Sequence, residues 1–350
     1  MKTTKTVKIG NVKIGGGQPV LVQSMTNVPT SDIEKTVAQI IDLENAGCDI
    51  VRASIPDVAS AKAIKTIKEN THIPLVADIH FDYRLALIAM ECGIDKVRIN
   101  PGNIGGEDNA KAVAVMAKAK NIPIRIGVNG GSLENGILEK CGGNLAKAMV
   151  ESAKRHVEIL NRYDFDDIVL SMKSSSVKTT IEAYRLAAEA FEYPLHLGVT
   201  EAGTMKMGMI KSSIGIGSLL ADGIGDTIRV SLTDDPIHEV SVARQILRAL
   251  DLGGDCVEVV SCPTCARTKI DLIPIAMAIN EATEHMQKKL KVAVMGCVVN
   301  GPGEAKDADL GIAGGDGFAV LFKKGEIIGK IPEDKIVECV LDEIRKMTEV

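Results

Sequence analysis

At 350 residues the chain exceeds one small core and suits two domains. A hydrophobic content of 45% supports a large buried interior, while a net charge of -5, 3% aromatic residues and no Trp argue against generic nucleic-acid binding, which needs basic surface and stacking platforms. No apolar run reaches membrane-spanning length and the basic start MKTTKTVKIG has no apolar signal region after it, so a cytoplasmic protein is expected, with its 8 cysteines as thiols or metal ligands rather than disulfides.

From Gln18 to Leu250 short apolar runs alternate with longer helical patterns. The runs are 19–25, 49–55, 74–80, 96–101, 123–129, 167–173, 194–202 and 226–232. They are rich in β-branched residues and do not strictly alternate, as expected of parallel strands buried on both faces. Helical patterns cover Ile33–Ala46, Asn144–Leu160, Val177–Phe191 and His238–Leu250, among others. A helix-ending glycine or a proline precedes several runs, as at Gly47 and Pro123. This succession of βα units predicts a (β/α)8 TIM barrel over residues 1–252. A doubly wound sheet is the weaker alternative, because no GxGxxG follows the first run.

Polar residues interrupt or end these runs: Arg52, Asp78, His80, Arg98, Asn100, Arg125, Asn129, Lys173, Glu201, Arg229 and Ser231. Charge at such positions is costly unless paired or ligand-bound. In a barrel the carboxyl ends of the strands form the mouth, where active sites are built. The excess of cations predicts a positive mouth suited to a phosphorylated ligand, whose oxygens match guanidinium forks. The competing expectation is that each cation pairs with an acid in a neighbouring loop. Asn129-Gly130-Gly131-Ser132 and Gly142-Gly143 bracket a long excursion after the fifth run, either a lid or a surface insertion.

The barrel pattern stops near Leu252. Residues 253–350 read as a smaller α/β domain, with a strand at 257–262, a long helix over Ile270–Lys289 and a strand at 291–297. A hairpin at 318–322 and 326–331 and a closing helix over Glu333–Met347 complete it. The first two strands run into cysteine loops. One is Ser261–Arg267, with Cys262 and Cys265; the other contains Cys297 and, seven positions on, Glu304. Three thiolates and one carboxylate make an unusual set for structural zinc. A carboxylate is a hard, exchangeable ligand among soft ones, so an iron–sulfur cluster is favoured and zinc stays the alternative. Cys48, Cys92, Cys256 and Cys339 read as packing residues and Cys141 as a loop thiol.

QSMT (23–26), VRINPGN (97–103), RIGVN (125–129), SMKSS (171–175), LGVTEAG (197–203), SCPTCAR (261–267) and GCVVNGPGEA (296–305) occur in this order. Together they resemble the 4-hydroxy-3-methylbut-2-en-1-yl diphosphate synthase family in its compact bacterial form. The resemblance implies a 4Fe-4S cluster on Cys262, Cys265, Cys297 and Glu304. It implies reductive ring opening of 2-C-methyl-D-erythritol 2,4-cyclodiphosphate, with reduced flavodoxin or ferredoxin as electron donor. Arg52, Arg98, Arg125, Asn129, Lys173 and Ser231, joined by Asn100 and Arg229, are expected to hold the diphosphate. Glu201 is the expected proton donor for the departing C3 hydroxyl. Asp78 and His80 are expected to orient that region, or simply to pair and hold the mouth together.

The last barrel helix should end about 20 Å or more from the mouth, since each helix runs back against its strand. The linker Asp251–Asp255 spans at most about 17 Å. A homodimer is therefore expected, in which the cluster domain of one chain covers the barrel of the other. Two readings of another kind stay open: a zinc-stabilised barrel enzyme acting on another phosphorylated metabolite, and a non-catalytic sensor of one.

Overall fold

The computed structural model describes residues 3–100, 104–299 and 307–348. Glu304, with the adjoining part of its motif, lies outside the described residues, as do residues 101–103. The chain forms two compact units, Met1–Leu252 and Gly253–Val350.

The first unit is a barrel. Its strands are β3 (Leu21–Met25), β4 (Ile50–Ser54), β5 (Leu75–Asp78), β6 (Lys96–Ile99), β7 (Ile124–Asn129), β8 (Ile168–Lys173), β9 (His196–Leu197) and β10 (Thr227–Ile228). All neighbours are parallel, in the order β8-β7-β6-β5-β4-β3-β10-β9. A single bridge from Leu170 to Leu195 brings the two ends together, with Leu170 N donating to Pro194 O at 2.9 Å. The helices after the strands are α1 (Ile33–Asn45), α2 (Val58–Glu69), α3 (Tyr83–Glu91), α4 (Glu107–Lys120), α6 (Leu145–Asn161), α7 (Val177–Ala190), α8 (Met205–Ala221) and α9 (Pro236–Arg248), with a short α5 (Ile137–Lys140) inside the excursion after β7. Side chains placed just ahead of most of these helices accept from the first-turn amides, as when Asp57 Oδ1 accepts from Ser60 N at 2.7 Å.

The seventh and eighth runs form much shorter ladders than their apolar length suggests. Gly198 follows β9, and any Cβ there would stand 2.7 Å from the Arg229 carbonyl oxygen. The chain beyond both ladders turns to polar work at the mouth.

An antiparallel hairpin precedes the barrel, β1 (Val7–Ile9) with β2 (Val12–Ile14), and the sequence reading did not anticipate it. Val7, Ile9 and Ile14 pack on Ile50, Val76 and Val169. Those three lie at the beginnings of β4, β5 and β8, so the hairpin seals the amino end of the barrel with apolar surface. The opposite end is left as the open one.

The second unit holds one sheet in the order β11-β12-β13-β14-β15. Its strands are β11 (Val257–Ser261), β12 (Leu290–Met295), β13 (Leu310–Gly314), β14 (Phe318–Lys323) and β15 (Glu326–Pro332). The first three are parallel and the last two antiparallel. Helices α10 (Leu272–Thr283) and α11 (Ile336–Thr348) supply the rest of its core. The expected helix over 270–289 is shorter because the chain turns after Thr283, with Met286 N donating back to Thr283 O at 3.0 Å, to feed β12. β13, rich in glycine and alanine, was missed. No helix among the described residues is long and apolar enough to cross a membrane.

Candidate functional site

Side chains alternate across a strand, so every second residue of β4 to β10 points into the lumen. Near the hairpin these positions are apolar, as at Ile50, Val76 and Val169. Two residues on they become Arg52, Asp78 and Ser171. A cavity of about 310 Å³ opens there. It is lined by Arg52, Asp78, His80, Arg98, Asn100, Arg125, Asn129, Lys173, Arg229 and Ser231, so the structure gathers in one place all but one of the polar residues singled out at strand ends. Ser132, Ser171 and Thr200 also line it and were missed. Ser171 and Thr200 carried a signal, because each lies on the lumen-facing alternation of a run already read as a strand.

The exception is Glu201. It lines an adjoining cavity with Gly130, Gly131, Ser174 and Ser175, which shares Asn129, Ser132, Lys173 and Thr200 with the first. Its backbone sits at φ 52°, a left-handed conformation uncommon outside glycine.

Asp78 is the hub of the cavity. Arg98 Nη1 donates to its Oδ1 at 3.2 Å, and Arg52 Nε and His80 Nε2 lie 3.6 and 3.8 Å from its Oδ2. Burial pushes the Asp78 carboxyl up, but Arg52, Arg98, Arg125 and His80 outweigh it and hold the group at about 2. Asp78 and His80 are thus no isolated pair. Arg229 leans on Glu239, Nε to Oε2 at 3.5 Å. The acid-pairing expectation is therefore met in part by Arg52, Arg98 and Arg229, whose acids stand on a strand and a helix rather than in neighbouring loops.

It fails for two others. Arg125 is 1% exposed, and its Nε and Nη1 find no hydrogen-bond partner among the described residues. Among the described residues the Lys173 amine has only His196 Nε2, at 3.5 Å, and that imidazole is held in turn through Nδ1 to Thr227 Oγ1 at 2.8 Å. Burial, then Arg229, Arg125, Arg52 and Arg98, push the Lys173 ammonium well down. Burial, then Arg125 and Lys173, do the same to His196, so it is a neutral acceptor or donor there. The cavity thus gathers more basic groups than Asp78 on its wall and Glu239 behind it can pair, and an incoming anion relieves the imbalance.

Two glycines make room for these cations. A Cβ on Gly127 would lie 2.5 Å from Arg98 Nε, and one on Gly198 would lie 2.8 Å from Lys173 Nζ. This is the physical content of the glycines in RIGVN and LGVTEAG.

In the second unit β11 and β12 lie side by side, with Ser261 opposite Val294, and each opens into a cysteine loop. Lys269 N donates to Gly296 O at 2.9 Å, and Gly296 N donates to Cys262 Sγ at 3.2 Å, which ties the two loops together. A Cβ on Gly296 would meet Thr268 Cγ2 at 3.0 Å, so the close approach favours glycine. Cys297 is buried, while Cys265 is exposed, its thiol lowered by hydrogen bonds with Arg267. All 8 cysteines are free. Burial pushes the Cys48 thiol up to about 12, as suits a packing residue. Among the described residues no group of three or more His, Cys, Asp or Glu converges on one point as a finished metal site. The described part supplies three soft donors at the ends of two adjacent strands, with one thiol already biased toward thiolate, and this donor set fits an iron–sulfur group.

Solved structures share the barrel. A dihydropteroate synthase from Xanthomonas albilineans aligns with a TM-score of 0.51 over 70% of this chain and 97% of its own, at 14% identity. A Bacillus subtilis spore coat polysaccharide biosynthesis protein, spsE, aligns with a TM-score of 0.51 over 71% and 74%, at 12% identity. Both likenesses concern the fold. Much more similar relatives are named 4-hydroxy-3-methylbut-2-en-1-yl diphosphate synthase (flavodoxin). One from Caldanaerobacter subterraneus subsp. tengcongensis is 62% identical, covering 99% of this chain and 98% of its own. One from Ruminiclostridium cellulolyticum is 59% identical over 98% of each, and one from Fusobacterium nucleatum is 57% identical over 99% and 97%. The GcpE TIM-barrel domain matches residues 4–244 and the GcpE protein C-terminal domain matches residues 258–346. Barrel and cysteine-bearing unit alike, the chain belongs to the GcpE family.

Proposed function

We propose that the cation-lined barrel cavity binds 2-C-methyl-D-erythritol 2,4-cyclodiphosphate. The chain is an oxidoreductase of isoprenoid precursor biosynthesis that opens this ring reductively to 4-hydroxy-3-methylbut-2-enyl diphosphate. The observation that carries the substrate reading is the surplus of buried basic groups: among the described residues Arg125 and Lys173 make no ion pair with a carboxylate, in a cavity otherwise built to hold charge. The zinc alternative finds no support among the relatives.

In this reading Arg52, Arg98, Arg125, Lys173 and Arg229 hold the diphosphate, with Asn100, Asn129 and Ser231 as neutral donors. Fixed cations stabilise the charge that develops on the phosphate oxygen as the C2–O bond breaks. Asp78 does not touch the reacting atoms; it aims Arg52 and Arg98 at the ligand. Glu201 hands a proton to the C3 hydroxyl, which departs as water. Cys262, Cys265, Cys297 and Glu304 would hold a 4Fe-4S cluster, which supplies the two electrons one at a time when bound. Reduced flavodoxin is the electron donor, as in the names of the relatives. The working form is a homodimer in which the two chains exchange cluster units over each other's cavities.

Anaerobic purification followed by iron, sulfide and zinc analysis tests the cofactor. Turnover of the cyclodiphosphate with reduced flavodoxin tests the activity. A colourless zinc protein, or an iron–sulfur protein without turnover, would sink the reading.

A further inference from the structure

One buried cation has no place in that account. Lys96 stands on β6 two residues before Arg98, toward the apolar plug, and is not part of the cavity lining. It is 0% exposed, and its Nζ has no hydrogen-bond partner among the described residues. The groups whose charge reaches it are Arg125 on β7 and Arg52 on β4, and it acts in turn on His196 of β9. Arg98 shares its own strand. The carboxylate of the neighbouring strand β5, Asp78, is already shared by Arg52, Arg98 and His80. Among the described residues, then, a buried amine without a hydrogen-bond partner stands on the strand next to that of Arg125, whose Nε and Nη1 also lack partners. A purely structural lysine at a fully buried site would be a costly choice, since a leucine or methionine fills the same volume without an orphaned amine.

We propose that Lys96 is a positioning residue for the diphosphate, backing the Arg125 guanidinium from beneath the cavity floor and taking up a proton from solvent as the diphosphate enters. Burial, then Arg125 and Arg52, push its ammonium well below the ordinary lysine range. A diphosphate placed against Arg125 and Arg52 offsets the charges that add to the effect of burial and brings negative charge toward the amine. The amine then gains a proton, and the extra charge adds to the hold on the ligand. Binding and protonation are linked, so each strengthens the other.

This inference rests on the diphosphate reading of the cavity. The test is titration calorimetry of the cluster-loaded protein with the cyclodiphosphate, whose two phosphates stay ionised near neutral pH, so that the proton count belongs to the protein; inorganic pyrophosphate, which titrates there itself, serves separately as a probe of binding alone. Buffers of different ionisation enthalpy at one near-neutral pH report the proton count. The wild type is expected to take up roughly one proton per ligand. Lys96→Met is expected to lose that uptake, to bind about tenfold more weakly, and to melt no lower than the wild type. A residue that merely supports the fold would instead lower the melting temperature and leave the proton count unchanged. Uptake that persists in Lys96→Met assigns the proton to Lys173 or His196 and overturns the proposal. If Lys96→Met does not fold, Lys96→Gln replaces it, because a glutamine keeps a donor and cannot take the proton. A wild type that binds neither ligand refutes the diphosphate reading itself. Binding without proton uptake leaves that reading standing and refutes only the role of Lys96.

Discussion

Replacing Asp78 by asparagine removes the carboxylate that Arg52 and Arg98 share. The side chain is 3% exposed, so solvent screens little of its interaction. Its carboxyl is held at about 2 against an ordinary value of 3.8, a difference worth about 2 kcal/mol to the folded barrel. That figure counts only what the carboxylate gains. Asparagine also leaves Arg52 and Arg98 buried without their counterion, and breaking a buried pair this way costs about 3–5 kcal/mol. The expected loss for Asp78→Asn is therefore about 2–5 kcal/mol, or a fall of roughly 5–15 °C in the barrel transition. Calorimetry or far-ultraviolet circular dichroism reads it directly, the latter needed because the chain has no Trp. The pH dependence has a definite sign. The folded carboxyl lies below its unfolded value, so its contribution is fully present above about pH 4 and fades as pH falls through about 2. Asp78→Asn should lose that share of the wild-type acid limb, since the other lowered carboxylates remain. Wild-type stability in the variant, or an unchanged acid limb, would refute the account of Asp78 as the hub of the cavity.

Gly127→Ala places a methyl against Arg98 and should push the guanidinium off Asp78, raising KM for the cyclodiphosphate roughly tenfold or more through misplaced binding contacts; steady-state kinetics with unchanged KM would show that Arg98 can yield freely. Glu201→Gln should lower kcat by about 10²–10⁴ while changing KM little, the pattern of a lost proton donor, and unaltered turnover would remove Glu201 from that role. Arg125→Ala and Cys297→Ser should each be inactive alone and regain part of the activity when co-refolded or subunit-exchanged; heterodimers without activity would argue against a site shared between chains.

Much of the barrel cavity was legible before any coordinates. Residues such as Arg52, Arg98 and Arg125 interrupt apolar runs, and charge inside a strand buried on both faces has few places to go except the lumen. The cysteine loops were legible for a similar reason, since each follows an apolar strand and is framed by glycine or proline. Glu201 shows the limit. Its run was read as one strand through residue 202, whereas the ladder ends at Leu197 and the chain turns, with Glu201 left-handed, into the adjoining cavity. The hairpin of β1 and β2 escaped notice because its strands are three residues each, too short for a period to show.

What the sequence by itself determined is the succession of βα units, the polar residues among them and the two cysteine loops, because periodicity and local chemistry are properties of neighbouring residues. Tertiary structure alone decided which cations are paired. Asp78 serves Arg52 and Arg98 from the strand between them, Glu239 serves Arg229 from the following helix, and among the described residues Arg125 and Lys96 make no ion pair with a carboxylate. It also decided why Gly127 and Gly198 are glycines, since the side chains that need their space belong to neighbouring strands. The physical reason is closure. Once a sheet curls into a barrel, each lumen side chain meets groups from strands far away in sequence, and the balance of charge among them exists only in the folded interior.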